Sequence, residues 1–138
     1  MCFIKYINDK FSRYPITETI NEDIVVIKVL QKRSTNRFFF KKYDYYSPCQ
    51  NYKYVKGKLN ISPLGIDLVN IVNGSDSFAV TINEGFHSFR NKEDAIKDFY
   101  IPFLNYILCK CIIPKGSTIA YNNSEIVSNQ IIFIEELK

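Results

Sequence analysis

Asp23–Lys32 reads DIVVIKVLQK. Its β-branched run, Ile24-Val25-Val26-Ile27, favours a pleated strand over a helix, where such side chains lose rotamer freedom. Working outward, Arg33-Ser34-Thr35-Asn36 is rich in turn formers and predicts a turn. Arg37–Tyr46 predicts extended chain that Ser47-Pro48 interrupts, and Tyr52–Leu59 a short strand broken at Gly57. Ile66–Val72 and Ser77–Ile82 flank Asn73-Gly74-Ser75-Asp76, a hairpin signal. Upstream, Cys2–Ile7 predicts a first strand, and residues 8–22, with Pro15, predict irregular or partly helical chain.

Downstream, Asn91 is placed to cap a helix, with Glu93 and Asp94 favourable in its first turn. Ala95, Ile96 and Phe99 form its apolar stripe, and Pro102 ends it, so the helix is predicted over about 91–101. Tyr106–Ile113 predicts a buried strand, Pro114–Ser117 a turn, Thr118–Tyr121 extended chain and Glu125–Glu135 one last strand. Pro114-Lys115-Gly116-Ser117 lacks the upstream Gly and following helix of a phosphate loop. The expected class is α+β: a mainly antiparallel β-sheet with one principal helix, in a single domain over 1–138.

Composition agrees with a globular chain. Of 138 residues, 46% are hydrophobic and 23% charged, which excludes disordered and fibrous classes. The longest apolar stretch, Ile101–Ile113, contains Pro102, Asn105 and Lys110 and is too short to span a bilayer, so no membrane partner is expected. Met1–Lys5 shows no export pattern, so a cytoplasmic location and free cysteines are expected. Cys109 and Cys111 lie two apart and would share one face of a strand as small core hydrophobes. No C-x-x-C pair and no carboxylate spacing suggests a metal, and no cofactor is implied.

Charge is concentrated. Residues 28–58 hold nine basic residues against one acid, Asp44, a net of +8, whereas the rest of the chain holds nine basic against thirteen acidic residues, a net of −4. The same segment carries eight aromatics, among them Tyr45 and Tyr46. Cations attract phosphate and aromatic faces stack on bases, so Arg33, Arg37, Lys41 and Lys42 are candidate phosphate contacts and Tyr45 and Tyr46 candidate base platforms. The alternative is a solvated strand surface with its rings turned into the core.

The order of motifs resembles that of small phage-type proteins and is similar in plan to the ADP-ribosyltransferase fold. The likeness rests on DIVVIKVL, then Glu84-Gly85-Phe86-His87-Ser88-Phe89, Asp94-Ala95 with Phe99, Cys111–Ser117 and Glu125–Phe133. The resemblance implies a nucleotide-sized cleft lined by Lys28, Ser88 and Gln130, with the transferase chemistry lost. Lys28 stands where the family has an Arg, and lysine lacks the planar bidentate grip. Phe89 and Arg90 follow Ser88 in place of the family's Thr and Ser. Gln130 takes the place of the catalytic Glu, and a neutral amide cannot stabilise a developing oxocarbenium charge as a carboxylate would.

His87, the only histidine, has no nucleophile and orienting acid identifiable beside it, so a structural or ligand-contacting role is favoured over catalysis. The reading favours a binding protein over an enzyme: an accessory product of phage type, in the host-cell cytoplasm, that sequesters a phosphate-bearing small molecule such as a nucleotide signal of host defence. One alternative is an NAD-dependent ADP-ribosyltransferase-like enzyme using another carboxylate, Glu125 or Glu84. Another is a virion or host-protein-binding module. Sequence-specific DNA recognition is not expected without a base-reading module, and an exposed strand edge leaves a homo-oligomer open. The leading reading rests on one expectation: the basic segment and Gly85–Ser88 converge on one receptor surface.

Overall fold

The structure is a computed structural model. It describes residues 5–8, 17–37, 40–48, 52–63, 65–73, 77–99, 105–121 and 124–137, with side chains described at 18–35, 42–48, 52–63, 65–66, 85–97, 105–121 and 124–137. In chain order the elements are β1 (Lys5–Asn8), β2 (Thr17–Thr19), β3 (Ile24–Arg37), β4 (Phe40–Tyr46), β5 (Lys53–Tyr54), β6 (Leu59–Ile61), β7 (Asp67–Asn73), β8 (Ser77–Glu84), β9 (Phe86–Phe89), α1 (Lys92–Phe99), β10 (Tyr106–Ile113), β11 (Thr118–Tyr121), β12 (Glu125–Ser128) and β13 (Gln130–Glu136). The protein is dominated by antiparallel β-sheet, with one short helix among the described residues. No helix there is long and apolar enough to cross a membrane.

A three-stranded sheet runs β1-β8-β7, and its β7–β8 pairing from Asp67↔Glu84 to Asn73↔Ser77 is the hairpin expected around Asn73–Asp76. The larger sheet has ten strands in the order β2-β11-β12-β9-β3-β10-β13-β6, with β4 and β5 branching from β3. Strand β3 organises it. Residues Ile24–Gln31 pair with β10, Ile27 pairs with Phe89 of β9, and Gln31–Arg37 pair with β4.

Two expected boundaries are corrected. Arg33–Asn36 is not a turn, because the ladder continues through Arg33↔Asp44, Ser34↔Tyr43 and Thr35↔Lys42. The turn-forming side chains find partners within the ribbon, as where the Thr35 hydroxyl donates to the Lys42 carbonyl at 3.0 Å. Glu125–Glu135 is not one strand but two. Asn129 divides them: its N–H donates to Thr118 O, its carbonyl accepts from Ser62 N–H at 2.8 Å, and its Oδ1 accepts from Thr118 N–H at 2.9 Å. β12 therefore joins β11 and β9, while β13 joins β10 and β6. Within 8–22, Asn8 ends β1 and Thr17–Thr19 form strand β2, paired with β11. The helix begins where expected, Asn91 Oδ1 accepting from Asp94 N–H at 2.9 Å.

Alternation along β3 sorts the core into two clusters. On the inner face Val26 and Leu30 pack with Cys109, Cys111, Ile113, Ile126, Ile131 and Phe133. On the outer face Val29, Phe89 and Leu108 pack beneath Ala95 of α1. Cys109 and Cys111 are fully buried free thiols, in the role expected of them.

Candidate functional site

Strand β3 carries the basic residues, and its two-residue period decides which of them can meet a ligand. Arg33 lies on the outer face. Its guanidinium sits 4.2 Å over the ring of Tyr46, which pairs with the neighbouring Gln31. Gln31 Oε1 accepts from Arg33 Nε at 3.0 Å and from Nη2 at 2.8 Å, so ring and amide together hold the guanidinium plane. Lys42, cross-strand from Thr35, is exposed on the same face. Beside them Lys53 pairs with Asp44 at 3.2 Å. The backbone carries Arg37 and Lys41 at the far end of this ribbon, where Arg37 pairs with Phe40 and Asn36 with Lys41; their side chains lie outside the described residues.

The inner face holds a second group. Lys28 is only 5% exposed. Its ammonium donates to the His87 carbonyl and lies 5.2 Å from the centroid of Tyr54. Burial lowers its pKa to about 8, offset only in part by the neighbouring Cys111 and Cys109. Burial also pushes the Cys109 thiol well up and Cys111 up to about 12, so neither is a reactive thiolate. Ser88 is buried next to the Ile27–Phe89 pair, and its hydroxyl donates to Ile126 O at 3.0 Å. Phe86 meets Tyr52 at 5.3 Å and Tyr54 at 5.7 Å. The basic, ring-rich segment and Gly85–Ser88 thus do converge, but in the packed core rather than on a receptor surface.

A third group was not anticipated. Lys32 Nζ lies 3.1 Å from Glu136 Oε2 and 4.4 Å over the Tyr43 ring, while the Tyr45 hydroxyl reaches Glu136 at 3.5 Å. The hydrogen bond to Glu136 raises the Lys32 pKa, and burial raises that of Tyr45. Tyr45 also packs edge-on against Phe133 at 4.8 Å. A register shift between Lys110 and Cys111 turns Glu136 inward opposite Cys109, leaving Glu135 exposed opposite Lys110. Nothing in Phe133–Glu136 announces that bulge. By contrast, the spacing of Val26, Lys28 and Leu30 does signal that Lys28 points inward.

The remaining candidates separate. Gln130 pairs with exposed Ile61 and is out of step with fully buried Ile131, so it faces away from Lys28 and Ser88. His87 lies on the outer side of β9, opposite Val127. Its Nε2 is buried without a partner, and burial followed by nearby Lys28 lowers its pKa to about 3. Glu125 begins β12 opposite Phe89, and the Glu84 side chain lies outside the described residues. Among the described residues no group of three or more His, Cys, Asp or Glu side chains is placed to hold a metal. Comparison of the chain with family models, with curated proteins and with solved structures finds no match.

Proposed function

We propose that the chain is a non-enzymatic binding protein whose β3–β4 ribbon receives a phosphate-bearing small molecule, a nucleotide being the class its chemistry suits. The observation that supports this most is the Arg33 guanidinium held over the Tyr46 ring at 4.2 Å by two bonds to Gln31, on the face that exposes Lys42. A preorganised guanidinium loses little freedom on gripping phosphate, and its outer plane can stack on a base. Along the backbone Arg37 follows in step with Arg33, whereas Lys41, opposite Asn36, is out of step with it. The contact set is therefore Arg33, Lys42 and Tyr46, with Arg37 beyond them and Tyr45 withdrawn into the core. The chain remains α+β in plan on this reading, α1 covering part of the outer face. Transferase chemistry is not proposed, because Gln130 turns away from Lys28 and Ser88, and Lys28 is buried. Sequestration of a host-defence signal is the biological form this binding would take.

Calorimetry against linear and cyclic nucleotides, at two salt concentrations, tests the proposal. Binding that weakens with salt and falls at least about tenfold in Arg33→Ala and Tyr46→Ala is expected, since each phosphate contact releases counterions and a stacked platform is lost. Absence of heat with every nucleotide, or binding indifferent to both substitutions, refutes it.

A further inference from the structure

The outer face of the large sheet is covered over only part of its width. Helix α1 shields β9, β3 and β10 at Phe89, Val29 and Leu108. One step along, an apolar row crosses four adjacent strands in register: Val25 of β3, Ile112 of β10, Ile132 of β13 and Leu59 of β6. Val25 is 55% exposed, Leu59 47% and Ile61, the next outward residue of β6, 55%. Ile112 and Ile132 are half-buried. A scattered exposed hydrophobe is ordinary, but a contiguous row of this kind marks an interaction surface. It is separate from the cationic ribbon.

Its borders indicate what it receives. Lys110 of β10 and Glu135 of β13 are cross-strand neighbours on this face, beside Ile112 and Ile132. Consider a twofold axis parallel to the strands, between β10 and β13. It carries β10 onto β13 and β3 onto β6. Ile112 then lies against Ile132 of the other copy, Val25 against Leu59, and Lys110 against Glu135. The patch is complementary to itself in both apolarity and charge, which an isologous interface requires. We infer that this chain pairs with a second copy of itself through the outer-face row Val25–Ile112–Ile132–Leu59, with reciprocal Lys110–Glu135 contacts at its border. Two aligned sheets packing face to face are a common arrangement.

Sedimentation velocity and light scattering over a concentration series test this on the whole chain. The expected result is a reversible shift from 16.2 kDa towards twice that mass. Val25→Glu and Leu59→Glu, at opposite ends of the row and both at exposed positions, each weaken association at least tenfold. Lys110→Glu and Glu135→Lys each weaken it, and the combined Lys110→Glu/Glu135→Lys chain recovers it, because the swap restores every contact across the axis. Circular dichroism confirms that each variant is folded. A monomer at every concentration overturns the inference, as does assembly beyond a dimer. A dimer that ignores Val25→Glu, which pairing of β6 edges would give, also overturns it, and so does failure of the double swap to recover association.

Discussion

Replacing Lys28 by methionine should stabilise the protein at neutral pH, and the gain should vanish in alkali. The Lys28 pKa falls from 10.5 unfolded to about 8 folded, chiefly by burial. A shift of roughly 2.5 units corresponds to about 3 kcal/mol carried by the charged form below pH 8. Between about pH 8 and 10.5 the unfolded chain binds more protons at this position than the folded chain. This position therefore adds stability as pH rises through that window, by at most about 1.4 kcal/mol per unit. The buried Cys109 and Cys111 thiols, raised from 9.0, oppose it from about pH 9, and Tyr54, Tyr52 and Tyr45 from near pH 10, in the native and the substituted chain alike. Methionine keeps most of the side-chain volume but gives up the hydrogen bond to the His87 carbonyl, a loss of about 1 kcal/mol. The net expectation is a gain of about 2 kcal/mol at pH 7 that shrinks towards zero by pH 10. Urea unfolding of both chains from pH 7 to pH 10 measures it. A stability difference between the two chains that does not shrink between pH 8 and 10, or a Lys28→Met chain less stable than native at pH 7, refutes the reasoning.

Other expectations follow from single positions. Gly85 has φ +121°, and an added Cβ would stand 2.5 Å from Val127 Cγ1, so Gly85→Ala should destabilise by at least about 2 kcal/mol in denaturant unfolding, and Val127→Ala should recover only part of that. Asn91→Ala removes the cap on Asp94 N–H and should lower stability by about 1 kcal/mol by the same measurement. His87 is the single imidazole, and its pKa is lowered to about 3 by burial and Lys28. Its ring resonances should stay those of neutral imidazole down to about pH 4. Because the unfolded chain protonates there near pH 6.5, this residue should withdraw stability as pH falls below that value.

What could be read from the sequence was local. The β-branched run of β3, the β7–β8 hairpin, the Asn91 cap and the Cys109/Cys111 pair each follow from residues within a few positions of one another, and each stands in the fold. Register was not local. Ser34, Thr35 and Asn36 have turn propensity, yet pairing with β4 extends the strand through them. Asn129 divides the expected Glu125–Glu135 strand because three backbone and side-chain bonds to Thr118 and Ser62 fix it between β12 and β13. Charge and ring content singled out the β3–β4 ribbon, whereas its division between two faces depended on alternation. Arg33 and Tyr46 face outward, while Lys28, Tyr45 and Tyr54 face the core. The inward turn of Glu136 depends on a bulge that residue types alone do not reveal.

The most direct measurement is a nuclear magnetic resonance titration with a nucleotide triphosphate, following side-chain signals on the two sides of the sheet. Saturable changes at Arg33, Lys42 and Tyr46, with Lys28 and Ser88 unmoved, are the predicted result. Changes confined to Lys28 and Ser88, or no saturable change anywhere, would contradict the assignment of ligand binding to the outward side of the β3–β4 ribbon.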